Sequence, residues 1–446
     1  MLKVAKFGGS SLSDGAHMKQ VRDIILSDPA RRVIVVSAPG KRSSDDHKLT
    51  DLLYLCHAHL TYGVSCDPVF DLITSRYLEI RDSLGLDLPL EEDFAALKKE
   101  MDNKISQDYL VSRGEYFSAR IMAALTGYEF LDAKDWLIFS FDGKVDTEES
   151  YKRLKELTKD KNVVIPGFYG AFANGRIKLM DRGGSDISGA LAAAAVDADV
   201  YENWTDVSGI LMADPRIVPE AKPIQRVTYS ELRELSYIGA QVLHEATVFP
   251  VREKNITLNI RNTNRPEDPG TLISENFEDE QEQSQSFITG FAGRKGFDII
   301  TVTKNGMSSE AGAFRRILEI FEKYQVPITY APSGIDCYSV VAPDSAFQPV
   351  RYQIREDLEK SIAPDHVHVS ENIAIVAVVG RRMVFRSGSS GKIFTALGEH
   401  GINIRMILQG PEELNILIGV KEKDYEEAIR VLYNSFSEHE KEEKEE

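Results

Sequence analysis

The sequence is poor in cysteine, lacks a long apolar run and has fewer basic than acidic side chains. Its three cysteines, Cys56, Cys66 and Cys337, have no metal-ligand spacing, which excludes a disulfide framework and a zinc module. No apolar run reaches membrane-spanning length and no signal peptide precedes the first strand, so we expect a cytoplasmic protein. The formal net charge of −17 argues against nucleic acid or an anionic membrane as the partner. An anionic substrate would therefore need local cations.

The chain is long enough for about three domains, and its pattern changes once along its length. Apolar strands alternate with helices over residues 1–280, which predicts an α/β fold with a mostly parallel sheet and helices on both faces. Residues 275–286 are acidic, rich in glutamine and nearly free of apolar side chains, as is typical of a linker. Between the first strands, helical periodicity is predicted over residues 52–60, 69–84, 90–106 and 115–125.

The C-terminal part of the chain repeats one pattern. Residues 287–365 and 366–440 each show the order βαββαβ, which predicts two small α+β units before an acidic tail at 441–446. One interpretation is duplication for stability alone. Two small domains behind a larger one more often regulate it, so the pattern favours regulation.

Two glycine-rich turns lie far apart in the sequence but in similar settings. The first strand carries Lys6 near its end and runs into residues 8–11 (GGSS), and a helical run follows. Residues 182–186 (RGGSD) open an alanine-rich helix. Glycines allow close approach of a ligand to the backbone, and the N–H groups at a helix start favour anions. The first turn alone fits a tight strand-to-helix turn equally well, but the pair favours a phosphate site.

Six short motifs, in this order, resemble the aspartokinase branch of the amino acid kinase family. They are residues 6–11 (KFGGSS), 112–115 (SRGE), 167–168 (GF), 182–186 (RGGSD), 204–207 (WTDV) and 213–216 (ADPR). The two C-terminal units resemble tandem ACT domains. The resemblance implies a catalytic domain at 1–280, a first ACT-like unit at 287–365 and a second at 366–440. It also implies that strand 287–291 pairs with the second unit.

The implied activity is transfer of the γ-phosphoryl group of ATP to the side-chain carboxylate of L-aspartate. The product, 4-phospho-L-aspartate, begins the route to lysine, threonine and methionine. A carboxylate is already ionised at pH 7, so the reaction needs positioning and charge neutralisation rather than a general base. The resemblance assigns Lys6 to the transferring phosphoryl group and Asp186 to orienting Lys6. Magnesium is expected with ATP, held largely by phosphate oxygens rather than by protein side chains.

The resemblance also implies contacts to aspartate. Arg182 would hold the α-carboxylate and Glu115 the α-ammonium group, while Thr50 and Ser185 complete the set. Each of the first three has a plainer interpretation that the residues leave open. Arg182 is alternatively a surface ion-pair residue, Glu115 an acid in the first turn of a helix, and Thr50 an N-cap.

The implied ATP-binding residues lie in three segments. They are Lys6, Gly8, Gly9, Ser10, Gly183, Gly184, Thr205, Asp206, Ile210, Asp214 and Arg216. Residues 214–216 are alternatively a turn with a local ion pair. The chain departs from the family at Gln241, where some members have a lysine that contacts the nucleotide. His244 is interpreted as structural, because the reaction needs no proton shuttle.

An amino-acid effector, lysine with threonine as the second candidate, is implied by the ACT-like units. The candidate contacts are Met307, Ser309, Tyr330 and Asp336, although these loops alternatively form only a dimer interface. Exposed edges of ACT sheets invite pairing, so we expect a homodimer or a larger homo-oligomer. Two other functions stay open at this point: a kinase for another amino acid such as glutamate, and an amino-acid sensor without catalytic activity.

Overall fold

The computed structural model describes residues 1–180, 183–239, 245–277, 288–381, 383, 387–410 and 414–442. The chain divides into two compact units. The first comprises Met1–Ile210, Pro223–Tyr229 and Val242–Phe277, and the second comprises Leu211–Lys222, Ser230–Gln241 and Glu278–Glu446. Within the described residues, no helix combines the length and apolar character needed to cross a lipid bilayer.

Among the described residues, the first unit is built on a sheet of eight strands. They are β1 (Lys3–Phe7), β2 (Arg31–Val36), β3 (Glu129–Phe130), β5 (Val163–Pro166), β8 (Val200–Thr205), β9 (Arg226–Thr228), β10 (Thr257–Asn262) and β11 (Thr271–Ser274). Their order is β3-β5-β2-β1-β8-β10-β11-β9, and only the pair of β10 with β11 is antiparallel. The predicted mostly parallel sheet is confirmed. A small second sheet contains β4 (Ile138–Phe139), β6 (Tyr169–Phe172) and β7 (Ile177–Leu179).

Strand β1 lies at the centre of the large sheet, between the parallel strands β2 and β8. Val4, Ala5 and Phe7 are completely buried, as expected for a strand covered on both faces. The C-terminal end of such a central strand is where open parallel sheets place their ligands.

In the part of the chain that the structure describes, nine helices surround this sheet or connect its strands. They are α1 (Gly15–Leu26), α2 (Leu49–Thr61), α3 (Asp67–Leu84), α4 (Leu90–Glu100), α5 (Gln107–Thr126), α6 (Ala133–Trp136), α7 (Thr147–Leu157), α8 (Gly184–Ala195) and α10 (Glu245–Glu253), with α9 (Tyr229–Ile238) mostly in the second unit. The helix predicted over 90–106 ends early, at Glu100. The next helix starts at Gln107 because the Ser106 side chain accepts a hydrogen bond from the backbone N–H of Tyr109.

The second unit contains one antiparallel sheet of five strands in the order β13-β12-β14-β16-β15. These are β12 (Gly290–Thr303), β13 (Cys337–Pro343), β14 (His366–Val379), β15 (Met406–Gln409) and β16 (Asn415–Lys421). Its helices are α11 (Ala313–Lys323), α12 (Asp344–Phe347), α13 (Arg351–Ile362), α14 (Ser389–Glu399) and α15 (Tyr425–Glu442).

The two ACT-like patterns share this sheet because β12 and β14 are long. The stretch predicted as a strand at 287–291 is, from residue 290 onward, the first part of β12, which continues to Thr303, while Phe287 lies outside the described residues. Gly290 and Phe291 pair with Val379 and Val378, and the register shifts between Arg294 and Ile299. Gly296 within this bulge has φ +90°, which favours glycine and marks the bend.

Candidate active site

Lys6 lies near the C-terminal end of β1 and is 7% exposed. Its Nζ is 2.5 Å from Oδ1 of Asp186 and 3.5 Å from Oδ1 of Asn203. A buried ammonium group requires such partners, because its desolvation is costly. Asp186 is in the first turn of α8, so this contact joins the end of the central strand to the second glycine-rich turn.

Asn203 is a site residue that the sequence analysis did not identify. It faces Lys6 in the register of β1 and β8, is 4% exposed, and its Nδ2 donates to Oδ1 of Asp186 at 3.1 Å. The Tyr201 hydroxyl donates to the backbone carbonyl of Asp186 at 3.0 Å. The sequence feature that could have pointed to Asn203 is an amide side chain in the middle of a strand that is otherwise mostly apolar or aromatic.

The first glycine-rich turn packs directly against the loop that follows β2. The backbone N–H of Gly40 donates to the carbonyl of Gly9 at 2.7 Å. A Cβ atom on Gly9 would lie 2.8 Å from the carbonyl oxygen of Ala38, and one on Gly40 would lie 2.6 Å from the carbonyl carbon of Gly9. Glycine is therefore required here by the close approach of two backbones. Ser10 is exposed and begins a short 3₁₀ helix at Ser10–Leu12.

We predict that Gly40→Ala lowers catalytic efficiency and the melting temperature together, because backbone atoms of the Gly9 turn cannot yield to the added methyl group. Gly398→Ala is the matched control, since nothing lies within 4 Å of a Cβ there and the position is helical. The measurements are steady-state kinetics and thermal unfolding of both variants. Normal kinetics for Gly40→Ala would show that this packing does not shape the turn.

The second glycine-rich turn has two different requirements. Gly183 has φ +79° at the N-cap of α8, which is the left-handed conformation that glycine adopts without strain. A Cβ on Gly184 would lie 2.5 Å from Cδ2 of Phe168, so glycine here allows close packing against the segment before β6. Ser185 is partly buried, and a Cβ on Gly167 would approach its side chain to 2.9 Å.

Glu115 lies in the middle of α5 and is 3% exposed. The alternative that it is an acid in the first turn of a helix is therefore wrong. Its Oε1 accepts a hydrogen bond from the Ala38 N–H at 3.2 Å, and Oε2 has no partner among the residues that the structure describes. Burial raises the pKa of the Glu115 carboxyl to about 8. An unpartnered carboxylate oxygen at this position can accept from an ammonium group.

Thr50 is the second residue of α2 and not its N-cap, which is Lys48. That alternative is also wrong, because the helix begins two residues earlier than an N-cap at Thr50 would require. Thr50 lies close to the helix that carries Glu115: a Cβ on Gly114 would be 3.8 Å from Cγ2 of Thr50 and 3.0 Å from Cβ of Ala38. Thr50 and Ala38, the residue whose N–H donates to Glu115, therefore both lie against α5 at Gly114.

The residues predicted to bind the nucleotide differ in how exposed they are. Thr205 donates to Asp206, which is exposed, whereas Ile210 is 4% exposed and its backbone is bonded to Thr271 and Ile224. Only limited surface of Ile210 is therefore available for a ligand.

Asp214 and Arg216 fall in the second unit and pair with each other at 2.6 Å, and the Arg216 side chain is 87% exposed. This hydrogen bond lowers the pKa of Asp214 and raises the pKa of Arg216. The local ion pair that was the alternative interpretation of residues 214–216 is therefore present in the structure.

The sequence analysis also assigned roles to Arg182, Gln241 and His244, and these three residues lie outside the described part of the chain.

The four candidate effector contacts all lie within the described residues. Met307 is completely buried in the core of the second unit, so its side chain has no surface to offer a ligand, and its prediction as a contact is wrong in that respect.

Asp336 lies where the effector loops meet. Its Oδ1 accepts from both the backbone N–H and the hydroxyl of Ser308, at 3.3 and 3.2 Å. Backbone hydrogen bonds from the 306–308 turn lower its pKa, so Asp336 is ionised at neutral pH. Tyr330 packs edge-to-face on Tyr237 at 6.4 Å between ring centroids, and Ser309 ends the 3₁₀ turn Met307–Ser309.

Known proteins share both the sequence pattern and the fold of this chain. The profile described as "Amino acid kinase family" matches residues 1–262, and an ACT domain profile matches residues 376–436. Aspartokinase 3 of Bacillus subtilis is 33% identical over 98% of both chains. The crystal structure of Clostridium acetobutylicum aspartate kinase is 46% identical, covers 98% of this chain and 99% of its own, and has a TM-score of 0.88.

Two further crystal structures are of E. coli aspartokinase III, each 25% identical over 98% of this chain and 99% of its own. One is described as a complex with aspartate and ADP in the R-state (TM-score 0.68), the other as a complex with lysine and aspartate in the T-state (TM-score 0.71). The resemblance seen in the six motifs is confirmed over the full length. The chain belongs to the amino acid kinase family and, within it, to the aspartokinases.

Proposed function

We propose that this aspartokinase transfers the γ-phosphoryl group from ATP to the side-chain carboxylate of L-aspartate through the group of Lys6, Asp186 and Asn203. The observation that carries the proposal is the buried Lys6 ammonium at the meeting point of β1, β8 and the start of α8. The E. coli enzyme bound to aspartate and ADP supports the substrate pair.

In the transfer, a carboxylate oxygen of aspartate forms a bond to the γ-phosphorus while the bond from that phosphorus to the β,γ-bridging oxygen breaks. ADP leaves with the bonding electrons, and no proton moves. Lys6 neutralises charge on the transferring group, and Asp186 and Asn203 fix its ammonium. The Gly8 N–H donates to the carbonyl of Trp204 at 3.2 Å, so the N–H groups of Gly9 and of the Gly183–Gly184 turn are the ones proposed as further donors.

The aspartate contacts are proposed to be Thr50, Glu115, Arg182 and Ser185. Of these, Glu115 has the clearest structural support, because its Oε2 is buried without a partner in the described chain. The nucleotide contacts are proposed to be Ser10, Thr205, Asp206, Ile210, Asp214 and Arg216.

Magnesium is proposed to reach the site with the nucleotide. The described residues contain no group of three or more His, Cys, Asp or Glu side chains that could hold a metal ion. The donor set near Lys6, one carboxylate and one amide, suits an ion whose ligands are mainly phosphate oxygens and water. The ion would screen negative charge on the phosphates.

The experiment is an assay with purified protein, ATP, Mg²⁺ and either aspartate or glutamate, in which hydroxylamine traps the acyl phosphate as a hydroxamate. We expect hydroxamate and ADP in equal amounts with aspartate and little with glutamate. Faster turnover of glutamate would instead identify a glutamate kinase. Amino-acid binding without ATP consumption would identify a sensor.

We also propose that the protein is cytoplasmic. The remaining proposals concern its domains and its regulation. We propose domain boundaries at 1–280, 287–365 and 366–440, with a tail at 441–446, and lysine as the effector, threonine being the second candidate. The T-state complex of the E. coli enzyme with lysine supports this choice. Homo-oligomer formation is supported by β14, which pairs with β16 only from Ile373 onward, so that residues 366–371 have one edge without a strand partner in the described chain.

We predict that millimolar lysine inhibits the kinase and that Asp336→Asn raises the lysine concentration for half-inhibition. A carboxylate at the turn of Ser308 can bind an ammonium group, and an amide cannot replace its charge. Asp357→Asn is the control, because Asp357 pairs with Lys323 on the helices of the same unit. Kinetics unchanged by lysine and threonine, singly and together, would contradict the assignment.

A further inference from the structure

Arg76, on α3, is a buried cation that joins three separate segments. It is 4% exposed, and its guanidinium lies 3.2 Å from the carboxylate of Asp46. Its Nη1 donates to the backbone carbonyl of His47 at 2.9 Å. Its Nη2 donates to the carbonyls of Gly40 and Ser13, the latter at 3.4 Å.

Each of these carbonyls belongs to a segment that leads to a proposed ligand contact. Ser13 directly follows the 3₁₀ helix that the first glycine-rich turn enters. Gly40 donates its N–H to Gly9 and touches that turn so closely that neither residue has room for a Cβ. His47 is three residues before Thr50, in the segment that starts α2.

The planar shape of the guanidinium explains why one residue can do this. Arginine has five N–H donors in a fixed fork, whereas the ammonium group of lysine is a compact point donor on a flexible stem. Hydrogen bonds to three carbonyls from one rigid group fix the distances between the carbonyls as well as their positions. Asp46 balances the charge, so the group can stay buried.

We propose that Arg76 is a positioning residue for phosphoryl transfer: it sets the distance between the Gly8–Gly9 turn and the start of α2, and so between the two substrates. The inference rests on the proposed function, in which that turn contacts ATP and Thr50 contacts aspartate. Arg76 itself touches neither substrate. An error of about 1 Å between reacting groups is enough to reduce a rate by about a hundredfold.

The test compares Arg76→Met, Arg76→Lys and Arg81→Met. Arg81 is on the same helix, but its guanidinium bonds to the carbonyl of Leu88 and to Glu91, so its replacement measures the cost of losing an arginine from α3 without touching the three segments. All kinetics are measured well below the melting temperature of each variant. Hydrogen exchange by mass spectrometry is followed over residues 8–13, 38–50 and 107–126.

For Arg76→Met we expect kcat to fall at least about tenfold, and the KM values of both ATP and aspartate to rise. Exchange should increase together in the 8–13 and 38–50 peptides and stay unchanged in α5. Arg76→Lys should lie between wild type and Arg76→Met, because it keeps the charge next to Asp46 but not the fork. Arg81→Met should lose stability while its kcat and both KM values stay within about twofold of wild type.

The inference is overturned if Arg76→Met loses stability as Arg81→Met does and keeps wild-type kinetics. It is also overturned if Arg76→Lys is fully active, since the fork would then be unnecessary. Either result leaves the proposed function standing, because that depends on hydroxamate formation by the wild-type protein. If Arg76→Met does not fold, the kinetic and exchange comparison of Arg76→Lys with wild type decides.

Discussion

Lys6→Met is expected to lower kcat for phosphoryl transfer by about 10²–10³-fold, with the chain still folded. The substitution removes the ammonium that lies 2.5 Å from Asp186 and 3.5 Å from Asn203, and with it the cation closest to the transferring group. Methionine keeps most of the buried side-chain volume. Asp186 retains the hydrogen bond from Asn203, so its carboxylate is not left without a partner.

Lys3→Met is the control for this substitution. Lys3 is on the same strand, but its ammonium pairs with Asp28 at 2.8 Å and Glu202 at 3.3 Å. Glu202 keeps its contact to Arg31 in the variant. Lys3→Met should therefore lower the melting temperature without changing kcat. Equal kcat losses in both variants would show that Lys6 acts through stability rather than through the reaction.

Glu115→Gln is expected to change the pH dependence of aspartate binding. With a pKa of about 8, the Glu115 carboxyl is largely neutral in the free protein at pH 7 and must lose a proton to hold an ammonium group. The KM of aspartate for the wild type should fall roughly tenfold from pH 6 to pH 7 and level off above pH 8. Glu115→Gln should remove this dependence and raise KM at pH 8 by about tenfold or more.

The same substitution should stabilise the free protein at alkaline pH. The folded-state pKa of about 8 is above the usual 4.5, so the unfolded chain holds fewer protons between these values and stability decreases as pH rises through this window. The cost at pH 9 is up to about 5 kcal/mol, since each tenfold change in the proton affinity of a group corresponds to about 1.4 kcal/mol. An amide avoids that cost and can still accept from the Ala38 N–H.

Melting temperatures of the two proteins from pH 5 to pH 9 test this directly. The difference in favour of Glu115→Gln should be small at pH 5 and grow with pH. Glu149→Gln is a matched control, because Glu149 is a partly exposed acid at the start of α7 that pairs with Arg153. A wild-type KM for aspartate that does not vary between pH 6 and pH 8 would contradict the pKa and the role of Glu115.

The sequence predicts the parallel sheet and the partnership of Lys6 with Asp186 well, for a physical reason. Strand ends and helix starts of an α/β fold meet on one edge of the sheet, so two glycine-rich turns 175 residues apart in the sequence need no further information to converge. Asn203 and Arg76 cannot be found this way. The amide of Asn203 within its strand is only a weak signal, and an arginine in a helix looks ordinary until its buried partners are known.

Most of the other differences between the sequence predictions and the structure concern where helices and strands begin and end. Glu115 looks like the start of a helix because the sequence does not separate the Ser106 cap, which starts α5 eight residues earlier, from the preceding helix. β12 looks like two strands because Gly296 interrupts its apolar pattern, whereas the glycine only bends it. Met307 lies in a loop-like sequence, although its side chain fills the core beneath the loop.

The central claim is that Lys6 and the two glycine-rich turns hold the same terminal phosphate. The most direct measurement is a crystal structure of the protein with an unreactive ATP analogue, Mg²⁺ and aspartate. We predict that the γ-phosphate lies within hydrogen-bonding distance of Lys6 Nζ and of backbone N–H groups from both turns, with the aspartate side chain pointing at it. A γ-phosphate bound away from Lys6, or contacted by one turn only, would contradict the account.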